Sequence, residues 1–464
     1  MNSSENYSNA VIEAVEKEKQ LGLYSFLVLG FPLWHIFMYR YRGIYVLRKT
    51  GIPPMNNYAK FKLNSLVNSY FKSAFQLIKL ICSNTKYENV IFGFPRIEKV
   101  NNVYLDKFFD PLINKSNLKS SYIYFERGRS GVHLSPRMNN ERIIYTEFID
   151  FTSQFIGYLI SPFILLRFLK PIYGIYSKAA NDFGFKRGDF FKILFSTSTF
   201  IIKTILLKLI LERLHCKRFF GTALNIFKEY IIACKKINIP VYELQHGITM
   251  GETVMYSGEY DSRIQPDFFL TFGESSMKQV FSVPKEKMRN IGWAFKSYIL
   301  DFIPSNIQSN NVFLVISDWE ITENIINTTI ELSIQFPEKE FHIRLHPMER
   351  INSKQGNLIS QFGNIKLQDN SINSNVALMM YQNIVGENST VLYEALSIGK
   401  KVGRFCFNGF SPTRMYNSDD DGFYYIKDIK DFDNFIKWEN KLTNNNNIIY
   451  SEFNVDLFNS ILTS

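Results

Sequence analysis

The stretch that decides the fold is RFFGTALNIFKEYIIACKKINIPVYELQHG, residues 218–247. After Arg218, the next five residues are apolar or small, and RFFGTA (218–223) predicts a buried strand. LNIFKEYIIACKKI (224–237) has the period of an amphipathic helix, and NIP (238–240) ends it. VYELQHG (241–247) then predicts a second strand that runs into a loop. Two strands joined by a helix over this length form a βαβ unit, in which the strands lie parallel.

Strand and helix patterns alternate on both sides of this unit. The polar segment 301–311 lacks periodicity and predicts a linker, and 464 residues are more than one compact core usually holds. We therefore predict an α/β chain with two doubly wound parallel sheets facing a cleft, divided into 1–300, which has additional helices, and 301–464. The further predicted strands are 86–96, 120–128, 266–273, 288–295, 311–318, 339–347, 383–390 and 401–405.

Charge is distributed unevenly between the two halves. Residues 1–240 contain 34 basic and 16 acidic side chains, a net charge of +18, whereas residues 241–464 have a net charge of −8. A basic first half favours peripheral contact with the anionic inner membrane or with an acidic acceptor. Nucleic acid is not expected as a partner, because the chain shows no pattern of a known nucleic-acid-binding module.

The cysteine spacing and the N-terminal residues indicate the cellular compartment of the protein. The four cysteines have neither CxxC nor Cys/His spacing, so we predict neither a structural zinc site nor a disulfide framework. No metal site and no cofactor are expected. Residues 1–20 are polar and acidic, unlike a secretory signal, which predicts a cytoplasmic protein.

Two apolar segments approach the length of a membrane span. Residues 22–38 contain Pro32 and His35 and are short for a spanning helix. Residues 155–176 are interrupted by prolines and cations, which favours an ordinary core helix, with an interfacial helix as the alternative.

Polar residues follow predicted strands where doubly wound sheets bind their ligands, at the carboxyl ends. In VYELQHG, Glu243 and Gln245 share one side of the strand, and His246 and Gly247 begin the loop. Glu243 is a candidate general base or charge stabiliser, and Gln245 and His246 are candidates to orient the substrate. The alternative is a structural salt bridge at Glu243.

The strands of the second half end in similar groups. Asp318 ends the strand 311–318 and is a candidate carboxylate nucleophile, or else caps the following helix. Arg344 and His346 lie two residues apart at the end of 339–347, with Pro347 stopping the strand. Both side chains can meet phosphate oxygens; a plain surface histidine is the alternative.

A third polar loop lies between a strand and a helix. GENST (386–390) precedes the helical VLYEALSIG (391–399), which makes Ser389 and Thr390 the N-cap and first-turn residues. Such a terminus binds phosphate, and Glu394, one turn on, could reach a ribose hydroxyl. Plain helix capping is the alternative. The candidate substrate-binding residues here are Glu387, Asn388, Ser389, Thr390 and Glu394.

Taken in order, these segments resemble a known family. INIPVYELQHGI, PDFFLTFG, IGWAF, RLHP and GENSTVLYEALSIGKKV, within 230–405, are similar to bacterial capsule and lipopolysaccharide glycosyltransferases, including the β-Kdo transferases. The resemblance implies a GT-B fold, no metal requirement, a nucleotide-sugar donor on the C-terminal domain and a glycan or glycolipid acceptor on the N-terminal one. It favours a CMP-sugar, with His346, Ser389 and Thr390 at its phosphate. The resemblance also places Glu243, Gln245 and Asp318 at the active site.

Related folds keep other functions open. UDP-sugar donors, a CDP-glycerol-type polymer transferase, a hydrolysing UDP-sugar 2-epimerase and a non-catalytic assembly scaffold are the alternatives. The basic first half and the lack of a GGxxEE-like loop in GENSTVLYEA argue against the epimerase, and the polar groups at all three loops argue against the scaffold.

Overall fold

The structure is a computed structural model. It describes residues 3–51, 63–83, 85–93, 96–128, 131–247, 252–274, 276, 282–302, 309–318, 321–346, 349–370, 372–387, 389–407, 409–410, 422–439 and 449–463.

The helices are distributed along the whole chain. They are α1 (Ser3–Gln20), α2 (Trp34–Thr50), α3 (Leu63–Cys82), α4 (Phe109–Lys115), α5 (Glu147–Ala179), α6 (Asp189–Arg213), α7 (Lys228–Lys235), α8 (Ala294–Phe302), α9 (Thr322–Gln335), α10 (Ser353–Ile359), α11 (Ser374–Met380), α12 (Thr390–Ser397), α13 (Phe432–Lys437) and α14 (Val455–Thr463).

The strands alternate with these helices in both halves. They are β1 (Leu27–Val28), β2 (Phe31–Pro32), β3 (Asn89–Gly93), β4 (Ile97–Val100), β5 (Val103–Asp106), β6 (Tyr122–Glu126), β7 (Ile143–Tyr145), β8 (Arg218–Thr222), β9 (Val241–Leu244), β10 (Phe268–Thr271), β11 (Met288–Asn290), β12 (Val312–Ile316), β13 (Glu340–Arg344), β14 (Ile365–Leu367), β15 (Asn383–Gly386), β16 (Lys401–Phe405) and β17 (Tyr424–Ile426).

The predicted βαβ unit forms the middle of the first sheet. β8 and β9 pair in parallel, with Gly221 opposite Glu243, and α7 connects them. The sheet order is β11-β10-β9-β8-β3-β6-β7, and every pairing is parallel. Most residues of these strands are buried, as expected where helices cover both faces of a parallel sheet.

The second sheet has the order β14-β13-β12-β15-β16-β17, again with parallel pairings only. The chain therefore contains two doubly wound parallel sheets, and the predicted GT-B-like α/β architecture is confirmed. The antiparallel pairs β1-β2 and β4-β5 lie outside both sheets.

The end of the chain returns to the first sheet. Ser451 N donates to the Phe272 carbonyl at 2.8 Å, Asn454 N donates to the Ile291 carbonyl at 2.8 Å, and Phe458 packs against Phe220. The predicted division assigned this segment to 301–464; in the structure, residues 449–463 pack on the first domain.

The long apolar segment after β7 differs from the core helix favoured by its sequence. α5 and α6 are long and apolar enough to cross a membrane, but such length and composition also occur in core helices of soluble proteins. In α5, however, only 17% of the most apolar window is buried. The core-helix prediction for 155–176 is therefore wrong, because one face of α5 is exposed along most of its length. Residues 22–38 form the β1-β2 pair and the start of α2, with Trp34, Phe37 and Met38 buried.

Candidate active site

Glu243 lies at the carboxyl end of β9 and is fully enclosed. Its side chain is 0% exposed, and its Oε1 accepts hydrogen bonds from Leu224 N at 3.2 Å and from the Tyr256 hydroxyl at 3.1 Å. Its Oε2 has no hydrogen-bond partner in the structure. A buried carboxylate held in this way is too enclosed to touch a substrate itself, so it acts through its neighbours.

Lys228 is the countercharge of Glu243. Its Nζ donates to the Asn225 side chain and, at 3.1 Å, to the Ile264 carbonyl. Burial raises the pKa of Glu243 to about 7, while the charge of Lys228 opposes that rise. Burial likewise lowers the pKa of Lys228 to about 7, opposed by Glu243. Burial disfavours the charged form of both side chains, and each charge stabilises the other.

Tyr256 joins Glu243 to His246. Its hydroxyl donates to Glu243 and lies 3.1 Å from Nδ1 of His246. Because the single hydroxyl proton is used toward Glu243, the tyrosine oxygen accepts from His246, which assigns the proton of the neutral imidazole to Nδ1. The lone pair of the imidazole is then on Nε2, the arrangement of a general base.

Electrostatics keep His246 neutral. Burial, followed by the cations Arg96 and Lys107, lowers its pKa to about 3. At neutral pH the ring is therefore unprotonated, and the binding of an anion near the two cations would increase its basicity.

The other two residues of the motif have different surroundings. Gln245 is 1% exposed; it accepts from Phe272 N at 2.9 Å and donates to the Gly247 carbonyl at 2.9 Å. Gln245 thus fixes the end of β9 to the end of β10. Gly247 lies at a cavity beside His246.

A buried ion pair between α1 and α2 supports the segment that contains Tyr256. Arg42 and Glu18 both have 0% side-chain exposure and are joined by bonds of 2.9 and 2.6 Å. Arg42 Nη1 also donates to the carbonyls of Val254 at 3.0 Å and Ser257 at 2.7 Å. The additional N-terminal helices therefore position Tyr256.

A cavity of about 460 Å³ opens between α2 and this segment. His246 and Tyr256 lie on one side of it, and its walls are mostly apolar. α2 contributes Tyr39, Ile44 and Leu47 to the lining of this cavity.

In the second domain, the predicted polar residues lie together at the carboxyl ends of adjacent strands. β12 lies between β13 and β15, so Asp318, His346 and Ser389 all follow the carboxyl ends of neighbouring strands. Glu349 links two of these loops: its Oε1 accepts from Ser317 Oγ at 2.7 Å, and its Oε2 accepts from His346 N at 2.6 Å. Asp318 is half-buried, and its carbonyl accepts from Ile321 N at 3.0 Å.

Arg344 is occupied within its own domain. It donates to Gln368 Oε1 at 3.2 Å and to the Ile372 carbonyl at 2.7 Å. Arg344 therefore holds the loop before α11 rather than standing free beside His346. Pro347 lies outside the described residues.

The start of α12 matches the predicted cap. Ser389 is the N-cap, accepting from Val391 N at 3.3 Å, and Thr390 is the first helical residue. The Glu387 carbonyl accepts from the fully buried Arg404 at 2.9 Å. Asn388 lies outside the described residues. Gly386 is required here because a Cβ would lie 2.9 Å from the Ile316 carbonyl oxygen.

Two side chains of the first domain, Lys107 and Glu98, contact the second domain. Lys107, which follows β5, donates to Glu394 of α12 at 3.1 Å and lies 3.8 Å from Glu98. Glu98 Oε2 accepts from Asn373 at 2.8 Å and Asn375 at 2.7 Å, at the start of α11. Lys107 also lowers the pKa of His246, so these contacts lie near the carboxyl end of β9.

Sequence analysis missed several of these residues. Lys228, Tyr256, Arg42 and Glu349 show no motif spacing, and each has at least one partner more than ten residues away in sequence. Only Lys228 had a local signal, as a lysine in the first turn of a helix that leads to the motif strand. Among the described residues, no cluster of three or more His, Cys, Asp or Glu side chains could hold a metal ion.

No protein-family model and no curated protein sequence matches the chain. Solved structures resemble it over most of their length. UDP-GlcNAc 2-epimerase from Methanocaldococcus jannaschii is 10% identical with a TM-score of 0.48, covering 81% of this chain and 99% of its own. The Neisseria meningitidis UDP-GlcNAc 2-epimerase bound to UDP-GlcNAc is 14% identical, with a TM-score of 0.47 and coverages of 81% and 98%.

A wall teichoic acid polymerase, TagF, with CDPG is also similar. It is 12% identical with a TM-score of 0.44, covering 86% of this chain and 97% of its own. Sequence identities and TM-scores this low do not indicate the activity of this chain.

Proposed function

We propose that this protein is a glycosyltransferase that moves a sugar from a nucleotide-activated donor to a hydroxyl of a surface polysaccharide or glycolipid acceptor. The observation that supports it most is the hydrogen-bonded series Glu243–Tyr256–His246 opposite the capped start of α12. One side of the cleft offers a base for a hydroxyl, and the other offers a site for a phosphate.

In the proposed step, His246 is the catalytic base. The acceptor hydroxyl gives its proton to Nε2 while its oxygen attacks the anomeric carbon, and the bond from that carbon to phosphate oxygen breaks. The nucleotide leaves with the electron pair. Tyr256 and Glu243 are positioning residues that fix the tautomer, and the charge of Glu243 stabilises the imidazolium that forms.

The donor is assigned to the second domain. Backbone N–H groups and hydroxyls of Ser389 and Thr390, together with the helix dipole of α12, would meet the phosphate. His346 would add a further phosphate contact, and Glu394, whose Oε2 is buried without a hydrogen-bond partner, would accept from a ribose hydroxyl. Asp318 would lie near the sugar, where its carboxylate can stabilise the positive charge that develops at the anomeric carbon during the displacement.

Donor binding would also activate the base. Burial is the largest cause of the lowered pKa of His246, and the cations Arg96 and Lys107 lower it further; a phosphate beside these cations would offset their part of the shift. The basicity of His246 would then rise only when the donor is present, which limits proton transfer to the complete complex.

The acceptor is assigned to the cavity beside His246. Its apolar wall, with Tyr39, Ile44 and Leu47, suits an acceptor that has an apolar or sugar-ring face next to its reacting hydroxyl. A cytoplasmic location beside the inner membrane, where glycolipid acceptors are available, fits this assignment.

A thermal-shift panel of CMP, UDP, CDP and GDP tests the donor assignment. One nucleotide should raise the melting temperature, because a ligand at 100 times its Kd adds about 2.7 kcal/mol of stability. The sequence resemblance favours CMP. Stabilisation by none of the four would contradict a nucleotide-sugar donor and favour a non-catalytic role.

His346→Ala should weaken binding of the stabilising nucleotide. Loss of a charge-assisted phosphate contact is expected to cost about 1.5–3 kcal/mol, or roughly 10- to 150-fold in Kd by calorimetry. His342→Ala is the matched control, because His342 lies inside β13 and not at its end. Its ring is hydrogen-bonded to Glu340 of the same strand and to Tyr381. Unchanged affinity in His346→Ala would remove His346 from the donor site.

A further inference from the structure

One face of α5 exposes large apolar side chains at helical spacing. Phe155, Leu159, Phe163 and Leu166 are 66%, 61%, 71% and 81% exposed. Side chains three or four residues apart lie on the same side of a helix, so these four form a continuous stripe. The stripe exceeds the scattered apolar exposure that is normal on soluble proteins.

The opposite face of α5 has small residues. Ser153, Gly157 and Ser161 are buried, and a Cβ at Gly157 would lie 2.8 Å from the backbone of Thr199 in α6. A helix on the surface of a soluble protein normally turns its large apolar residues inward. Between residues 153 and 166, α5 has the reverse arrangement: its buried residues are small and allow close packing with α6, while the large side chains of the stripe face outward.

α3 has a similar exposed stripe. Phe71, Phe75 and Ile78 are 66%, 70% and 58% exposed. α3 packs against the start of α5, where Tyr70 contacts Phe148 with ring centroids 5.3 Å apart.

Apart from Glu147 and Asp150 in the first turn of α5, the charged side chains of these two helices are basic. α3 contains Lys72 and Lys79 and no acidic residue. From residue 151 to its end, α5 contains Arg167, Lys170 and Lys178 and again no acidic residue. Cations beside an apolar stripe complement a membrane surface with anionic headgroups, since each one near such a surface contributes about 1 kcal/mol.

The packing of α6 favours an interfacial position over a membrane-spanning one. Ile193, Ile201, Leu207 and Leu211 are buried along its length, against the α2 region at one end and the first sheet at the other. A spanning α5–α6 hairpin would have to break this packing. α5 also bends at Phe168, whose φ/ψ of −125°/26° is not helical.

We propose that the outer faces of α3 and α5 form a membrane-docking surface, which inserts its aromatic and aliphatic side chains into the acyl boundary of an anionic bilayer without crossing it. A second copy of the chain is a poorer occupant, because a symmetric contact would bring Arg167 and Lys170 against their own copies. This surface does not depend on the proposed reaction.

Flotation of the purified full-length protein with vesicles tests this proposal. Wild type should float with vesicles of equal parts phosphatidylcholine and phosphatidylglycerol, and less with phosphatidylcholine alone. Phe163→Glu/Leu166→Glu should weaken binding at least about tenfold, because two inserted apolar side chains are replaced by carboxylates that anionic headgroups repel. Ile334→Glu is the matched control, since Ile334 is 65% exposed on α9 of the other domain.

The outcomes separate the alternatives. Loss of flotation in the double variant with normal flotation of the Ile334 control supports the proposal. Absence of flotation by wild type, or equal flotation of all three proteins, overturns it. A lipid-free wild-type dimer that the double variant converts to a monomer would overturn it in favour of a second copy as the occupant.

Discussion

His246→Gln is expected to lower kcat by about 10²–10⁴-fold, the contribution typical of a positioned general base, while leaving affinity for the donor nucleotide unchanged. Glutamine retains a polar group of similar size but cannot accept a proton at the position of Nε2. Release of nucleotide in the presence of a membrane glycan fraction gives the rate, and calorimetry gives the affinity.

Glu243→Gln is the variant to compare with His246→Gln. Glutamine can still accept from Leu224 N and from Tyr256, so the tautomer is kept, but the charge that stabilises a protonated His246 and compensates the buried Lys228 is lost. We expect a smaller fall in kcat than for His246→Gln, at unchanged donor affinity. Full turnover in His246→Gln would show that this histidine is not the base.

Arg42→Met is expected to destabilise the protein by about 3–5 kcal/mol, because it leaves Glu18 buried without its countercharge. The carbonyls of Val254 and Ser257 lose their donor in the same variant. Chemical unfolding measures the loss of stability. At temperatures where the variant stays folded, kcat should also fall, because the segment that contains Tyr256 is less firmly held.

Two comparisons make the Arg42 result specific. Lys19→Met removes a largely exposed ion pair with Glu259 and should change stability by less than about 1 kcal/mol. Glu18→Gln/Arg42→Met removes both buried charges, and a loss smaller than the sum of the single variants would show that the two are coupled. A loss of stability in Arg42→Met no larger than in Lys19→Met would contradict the structural role given to this pair.

Much of the fold is predictable because its strands are short apolar runs with local stop signals. Asn238 to Pro240 ends α7 and starts β9 as expected, and Ser389 caps α12. The carboxyl-end rule also places His246, His346 and Ser389 at the edges of the two sheets without knowledge of the tertiary structure.

The rest depends on contacts between segments far apart in the chain. Arg42 meets Val254 and Lys107 meets Glu394, and neither pair has a spacing that a sequence pattern could show. For the same reason, Glu243 was predicted as a general base but acts through its neighbours. Its position on the strand was predictable, whereas its enclosure by Leu224 and Tyr256 was not. α5 differs from the prediction because periodicity alone does not say which face of a helix is packed.

The most direct measurement of the central claim is mass spectrometry of a reaction with the nucleotide-sugar whose nucleotide stabilises the protein, and with membrane glycans as acceptors. We predict an acceptor heavier by one donor sugar, release of the nucleotide in equal amount, and neither product with His246→Gln. Conversion of the donor to an isomeric or free sugar, with every acceptor unchanged, would contradict a transferase and identify an epimerase-type reaction.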